Sequence, residues 1–262
     1  MKPDTAGAQT LRRGLSVLRL LTRIGPSGLR MTDICRRLDL NKATAIRLTL
    51  TLVDEGFVLR DAQSHRYRLG PESFAVGLAA EPSFVLQRMA APTLRSLAAE
   101  SGDTVFFTVL HGYESICLSR DEGEFPIRNQ LIKPGDRWPL GVGAGSCAML
   151  AAQTDDEIDE VLRFNDEHRK ARFPLCTDHK IRALITQTRQ LGYCLQPGLV
   201  IEDSWAIGVA IFDDNQRPVA SISIAAIKSR LGIARAAILG NRLIQESEKL
   251  QAIATRVLPK EQ

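Results

Sequence analysis

Two groups of residues in this sequence are suited to chemistry, and they lie in different parts of the chain. The first is cationic. Lys42, Thr44 and Arg47 fall at spacings of two and three, and Arg66 and Arg68 alternate with Tyr67 and Leu69. At the start of a helix, Lys42, Thr44 and Arg47 share roughly one face, and the N-terminal end of such a helix is where base edges of DNA are met. In a strand both arginines lie on one side, which suits phosphates or a narrow minor groove. The second group is the glycine-rich run Pro139-Leu140-Gly141-Val142-Gly143-Ala144-Gly145-Ser146-Cys147-Ala148-Met149-Leu150. It reads as a flexible loop entering the apolar start of a helix, Ser146 to Ala152, whose free N–H groups can receive a small carboxylate or polar aromatic molecule. The same glycines would equally serve a tight turn and close packing.

Other chemistries find less support. A dinucleotide fingerprint would need glycine where Ser146 stands, and a Walker motif needs a lysine that the run lacks, so no cofactor is expected. Ser146 has no nucleophile-elbow context and Cys147 none of the flanks of a cysteine hydrolase, so the chain is not read as an enzyme. Asp155-Asp156-Glu157-x-Asp159-Glu160 reads as a solvated first helical turn that complements the dipole. Arg120, Arg128 and Arg137 could fork a carboxylate, but none is assigned that contact. The four histidines are scattered without a ligand pair, and no metal is expected. Five cysteines, at 35, 117, 147, 176 and 194, form neither a disulfide framework nor a zinc cluster and point to a reducing compartment. With no signal peptide and no apolar run near the ~20 residues that span a bilayer, the expectation is a cytoplasmic protein without a membrane partner.

The elements that must position these groups can be read in order. Thr32 to Leu38 is a helix with Thr32 as its expected cap, and Asp39-Leu40-Asn41 is a turn. Lys42 to Glu55 is a second helix capped by Asn41 and stopped at Gly56. Its buried strip is either Ala45, Leu48 and Leu52 or Ile46, Leu50 and Val53. Phe57 to Arg60 and Arg66 to Leu69 form a hairpin around Asp61-Ala62-Gln63-Ser64-His65. With a covering helix from Leu11 to Ile24, this is a winged helix-turn-helix. Residues 72–80 and a helix from Ser83 to about Ser101 are helical, which would present DNA half-sites at fixed spacing. From Asp103 the period becomes that of strands, at Thr104–Leu110, Ser115–Ser119, Ile127–Leu131, Ala206–Phe212 and Val219–Ile227. Helices at about Asp155–Phe164, Asp178–Gly192 and Leu231–Val257 complete an α+β pattern. Charge divides with the elements: residues 1–78 hold 13 Lys+Arg against 7 Asp+Glu, a net of +6, whereas 79–262 hold 21 against 23, a net of −2. A polyanion-binding module joined to one with other business should show this asymmetry. The expected division is 1–70 for DNA binding, 71–82 as a helical linker and 83–262 for a small molecule.

The chain resembles the IclR-type bacterial transcriptional regulators over nearly its whole length. The matching pieces are Arg12-Arg13-Gly14-Leu15-x-Val17-Leu18, Leu40-Asn41-Lys42-Ala43-Thr44-x-x-Arg47-Leu48, Gly56-Phe57-Val58 and Tyr67-Arg68-Leu69-Gly70. They continue with Gly135-x-x-x-Pro139-Leu140, Ala148-x-Leu150-Ala151, Gly192-Tyr193 and Ile211-Phe212-Asp213. The resemblance implies a C-terminal antiparallel sheet domain like GAF and PAS sheets, homodimers paired into tetramers on DNA, and control of genes for catabolism of organic or aromatic acids. RNA polymerase is a further candidate partner. The candidate DNA-contacting set is Thr32, Lys42, Ala43, Thr44, Arg47, Arg66 and Arg68. The resemblance also favours the Ala45, Leu48, Leu52 strip. Carried over from the family's pocket segments, the candidate effector-lining set is Ile127, Ala144, Gly145, Ser146, Ala206 and Ser223. Where family members often have an acidic pair after Gly-Tyr, this chain has Gln196-Pro197-Gly198, and Glu202-Asp203 replaces their usual Pro-Gly. The lining is less polar than a glyoxylate-type site would want, which favours an aromatic or larger carboxylate. The expected function is therefore a DNA-binding regulator modulated by such an acid. The alternative is an enzyme using the 139–150 loop, with the N-terminal domain as a protein-interaction module.

Overall fold

The helical spacing of Val17 and Leu21 produces α1 (Gln9–Ile24), which buries both against the following elements and ends at Gly25, where φ is 70°. These are the first elements of a computed structural model that describes residues 8–80, 85–127 and 131–257 and divides the chain into two units, Met1–Phe84 and Val85–Gln262. α2 (Met31–Leu38) turns through Asp39 in the left-handed region into α3 (Lys42–Asp54). Here the structure corrects the sequence reading: Arg30 is the N-cap of α2, no side chain caps it, and Thr32 is an exposed second residue of the helix. Asn41 does cap α3, its Oδ1 accepting the Thr44 N–H at 2.8 Å. Gly56, at φ 75°, follows the last turn in the backbone conformation that stops a helix. α3 buries Ala45, Leu48 and Thr49 and leaves Leu50 exposed; Ala45 and Leu48 belong to the strip favoured by the resemblance, while Leu52 of that strip and Val53 of the other both pack partly buried against the core.

β1 (Val58–Arg60) and β2 (Tyr67–Leu69) pair antiparallel as the wing. Leu29 exchanges backbone hydrogen bonds with Tyr67 at 2.9 and 2.8 Å, tying the wing to the segment before α2. Val17, Leu21, Leu29, Ile34, Val58 and Tyr67 form the core of this unit. α4 (Pro71–Ala80), with proline at its first position, follows the wing directly.

The second unit begins with α5 (Val85–Ser101) and continues with β3 (Thr104–His111), β4 (Glu114–Glu122), β5 (Arg137–Pro139) and α6 (Ala144–Ala151). After α7 (Asp155–Phe164), α8 (Asp166–Arg172) and α9 (Asp178–Leu191) come β6 (Cys194–Ile201), β7 (Ser204–Phe212), β8 (Pro218–Ile227) and α10 (Ile233–Val257). The strands form one antiparallel sheet in the order β5-β4-β3-β8-β7-β6. Strand alternation divides it into two faces. Val105, Phe107, Val209 and Ile222 pack with Leu94, Leu97, Leu243 and Leu250 of α5 and α10. On the other face Phe106, Thr108, Ala206 and Ser223 look toward α6 and its preceding loop.

Three elements were not expected from sequence. β5 has only three residues, α8 is the charged run Asp-Glu-His-Arg-Lys-Ala-Arg without apolar periodicity, and β6 contains Pro197 and Gly198. β6 is an edge strand whose register shifts between Pro197 and Ile201, the setting in which a proline and a positive-φ glycine are tolerated. The expected strand Ile127–Leu131 is not formed at its ends: Ile127 and Leu131 lie in bends, and 128–130 lie outside the described residues. The expected helix start at Ser83 also lies outside them. Among the described residues no helix is long and apolar enough to cross a membrane.

Candidate functional site

The basic face is assembled from two local devices. The Asn41 cap fixes the start of α3, so that Lys42 and Ala43 stand exposed in its first turn with Arg47 exposed one turn later. Arg47 lies opposite the buried Ala45–Leu48–Thr49 strip and Thr44 flanks it, half-buried. The wing turn is held by Asp61, whose Oδ1 accepts both the N–H and the hydroxyl of Ser64 at 2.7 Å. These bonds hold the Asp61 carboxyl below its usual pKa. Arg68 of β2 is exposed, but Arg66 is not its equal. Arg66 precedes the strand and donates to the Gly28 carbonyl at 3.0 Å and that of Ser27 at 3.4 Å, so its guanidinium pins the wing to the turn after α1. Alternation alone had made the two arginines equivalent. Arg60, at the end of β1 and passed over in the sequence, is exposed and its Nη2 lies 3.2 Å from His65 Nδ1.

In the second unit, the concave face of the sheet and the loop before α6 line a partly open cavity in which about 50 Å³ admits the centre of a water molecule. At roughly 10–15 Å³ per water, that is room for a few waters, the size of a single ring or a short chain. Ala144, Gly145, Ser146, Ala206 and Ser223 all line it. Ile127 does not: it is 60% exposed and absent from the lining. Phe106, Thr108, Trp138 and Gln196 also line the cavity and were missed. Strand alternation in β3 could have revealed Phe106 and Thr108, but nothing local marks Trp138 or Gln196.

Close approach of backbones places α6. A Cβ on Gly208 would meet Gly145 N at 2.6 Å, and one on Gly145 would meet Ser221 Oγ at 2.6 Å, so the start of α6 rests on β7 and β8. The glycines of this run therefore do pack closely, one of the two roles its composition allowed. Gly143, at φ 89°, is the N-cap of α6 and offers no side-chain cap. The Ser146 hydroxyl is occupied in shaping the loop, accepting from Gly141 N–H at 3.0 Å and donating to the Pro139 carbonyl at 3.4 Å. Thr108 and Ser221 hydroxyls share a hydrogen bond of 2.5 Å. Among the described lining residues two buried side-chain donors, Trp138 Nε1 and Gln196 Nε2, have no hydrogen-bond acceptor. Among the described lining residues the only charged side chain is Asp136.

Among the described lining residues there is no histidine, and three of the cysteines have thiols whose pKa is raised. Burial pushes the Cys117 thiol up to about 12 and Cys176 to about 11. A hydrogen bond with Cys194, together with complete burial, raises Cys147 well above its ordinary value. A thiol that holds its proton is neither nucleophile nor metal ligand. Among the described residues no cluster of His, Cys, Asp and Glu could hold a metal ion.

Two family models match this chain, the IclR helix-turn-helix domain over residues 10–62 and the bacterial transcriptional regulator IclR C-terminal domain over 82–252. The chain is similar to the HTH-type transcriptional regulator BhcR of Paracoccus denitrificans, 30% identical over 250 residues that cover 94% of this chain and 88% of that one. Its fold matches the crystal structure of an IclR family transcriptional regulator from Brucella abortus with a TM-score of 0.76 at 24% identity, covering 97% of this chain and 95% of the other. An IclR homolog from Microbacterium hydrocarbonoxydans, solved in complex with 4-hydroxybenzoate, matches with a TM-score of 0.74 at 19% identity, over 94% of this chain and 100% of that chain.

Proposed function

The chain belongs to the IclR family of bacterial transcriptional regulators, and on that premise we propose that it is a one-component switch whose operator affinity is set by a small organic or aromatic acid. The observation that carries this reading is the pairing, in one polypeptide, of an exposed basic helix start with a cavity lined by the start of α6 and the concave face of the sheet. Lys42, Ala43, Thr44 and Arg47 are the proposed contacts to bases and nearby phosphates, with Arg68 on the backbone. Thr32 stands exposed near the start of α2 and is retained as a phosphate contact. Arg66 contributes by holding the wing. The proposed effector segments are Ala144–Ser146, Ala206 and Ser223, and the 4-hydroxybenzoate complex of a protein with this fold supports the choice of an acid. The proposed division is 1–70 for DNA, 71–82 as linker and 83–262 for the effector. A homodimer, able to pair into a tetramer, fits the apolar surface of α4, where Phe74, Val76 and Leu78 are exposed.

An acid can move such a switch only by binding its two states with different affinity. Binding of the intact protein to a duplex from its own upstream region should weaken with salt, with a log–log slope of about −0.9 per phosphate neutralised. Arg47→Ala should weaken it about tenfold or more and reduce that slope by about one. Salt-independent or undetectable binding would overturn the reading. An acid supplied at a hundred times its Kd should raise stability by about 2.7 kcal/mol and shift operator affinity.

A further inference from the structure

Resting on DNA binding by the winged helix, we propose that Arg60 and His65 at the tip of the wing form a proton-gated clamp for a DNA phosphate: protonation of His65 releases Arg60, and operator affinity rises as pH falls. Both side chains are exposed, and Arg60 Nη2 donates to His65 Nδ1 at 3.2 Å. A guanidinium has no acceptor, so this bond exists only while Nδ1 is unprotonated. The turn fixes the ring beside it. His65 stands in the left-handed region at φ 53°, its N–H donating to the Asp61 carbonyl at 3.0 Å, while the Asp61 N–H donates to the Arg66 carbonyl at 2.9 Å. A residue other than glycine is uncommon in that conformation, and histidine is among those that tolerate it.

Imidazole changes charge between about pH 5 and 8, and His65 is the one histidine in residues 1–84. Once protonated, the ring is a donor at both nitrogens and meets the Arg60 guanidinium as like charge. A phosphate oxygen relieves that conflict, because it accepts from both cations at once. DNA therefore favours the protonated ring, and by linkage the proton favours DNA. The other charges around the pair are carboxylates and guanidiniums, which hold their charge across this range. On the hairpin these are Arg68, Arg66, whose guanidinium is held at Gly28, and Asp61, whose carboxyl the Ser64 bonds keep below its usual pKa. The elements packed against the hairpin add Arg23 at the end of α1, Arg30 before α2, Asp54 and Glu55 at the end of α3, and Glu72 of α4, which lies against Gly56 at the foot of the wing. The sign of the pH dependence thus follows from His65.

The test uses full-length protein and fluorescence anisotropy with a labelled duplex from its own upstream region, over a salt series at pH 5.5 and pH 8.0. For the wild type we expect about tenfold tighter binding at pH 5.5, with a log–log salt slope steeper by about one, as one further phosphate is neutralised. His65→Asn keeps a residue suited to the left-handed backbone but never charges, and should bring the pH ratio to about twofold or less. Arg60→Gln should leave a gain of about threefold, from the charge of the ring alone. The wild-type ratio and slope need no variant, and melting of both variants at each pH checks that they fold. A pH ratio that survives His65→Asn, a full gain in Arg60→Gln, or a wild-type slope that is the same at both pH values overturns the proposal. Binding that does not change with pH removes the clamp and leaves the regulatory reading standing. If no duplex binding is detected at either pH, both fall.

Discussion

The winged helix carries its proposed contact groups on its surface, and the sheet unit carries its candidate lining groups in its interior. In the winged helix Lys42, Ala43, Arg47 and Arg68 face solvent, and Val17, Leu21 and Ile34 are buried in the core on which the helices pack. In the sheet unit Trp138, Gln196 and Ser146 are themselves buried, and the cavity they line is part of the interior. An outward site can lose a side chain with little effect on folding, and its energetics are screened by salt. An inward site couples ligand to stability, because the groups that would bind the ligand also pack the fold.

The largest effect that could break this comparison comes from the small core. Ile34→Ala should cost about 2–5 kcal/mol, a large share of what a domain of that size can supply. Calorimetry should show the winged helix melting early and operator binding lost, while acid binding by the sheet unit persists. Equal loss of both functions would mean that the units are not energetically separate. Gly208→Ala should show the converse. A methyl group aimed at Gly145 N must lift the start of α6, at about 1–3 kcal/mol, and reduce acid affinity while basal DNA binding is retained.

Asn41→Ala removes the cap on α3 and should cost about 1 kcal/mol. Operator affinity should drop measurably in anisotropy titrations, with acid affinity unchanged. The smallest effect at neutral pH, and a way to sharpen the contrast, concerns thiols. Because burial raises Cys117 to about 12, the folded state keeps a proton that the unfolded chain gives up above about pH 9. The stability it confers is complete below that pH and is lost as pH rises toward the folded value. Denaturant unfolding of the sheet unit at pH 8 and pH 10.5 should therefore show a fall that Cys117→Ala reduces.

The winged helix was legible because its signals are local. Asn41 with Thr44, Gly56 after Asp54 and the Asp61–Ser64 turn each act over a few residues, and the apolar strip of α3 can be read from spacing. Its one misread cap was local, since Thr32 looked like a cap only because the backbone start at Arg30 was unseen; the reach of Arg66 to Gly28, 38 residues away, was invisible to strand alternation. In the sheet unit the central strands β3, β7 and β8 announced themselves through β-branched and apolar alternation. The outer strands did not, one being three residues long and the other broken by Pro197-Gly198.

By itself the sequence determined a basic winged helix followed by an α+β sheet domain with a glycine-rich helix entry, since caps, periodicity and charge are written over short distances. The tertiary structure alone decided which glycines touch, that Ser146 is consumed by its own loop and that Ile127 lies outside the cavity. It also decided that Trp138 and Gln196, from the two edges of the sheet, share one cavity. The physical reason is that sheet order and curl join residues nearly sixty positions apart, and no local rule of spacing reports which edges will meet.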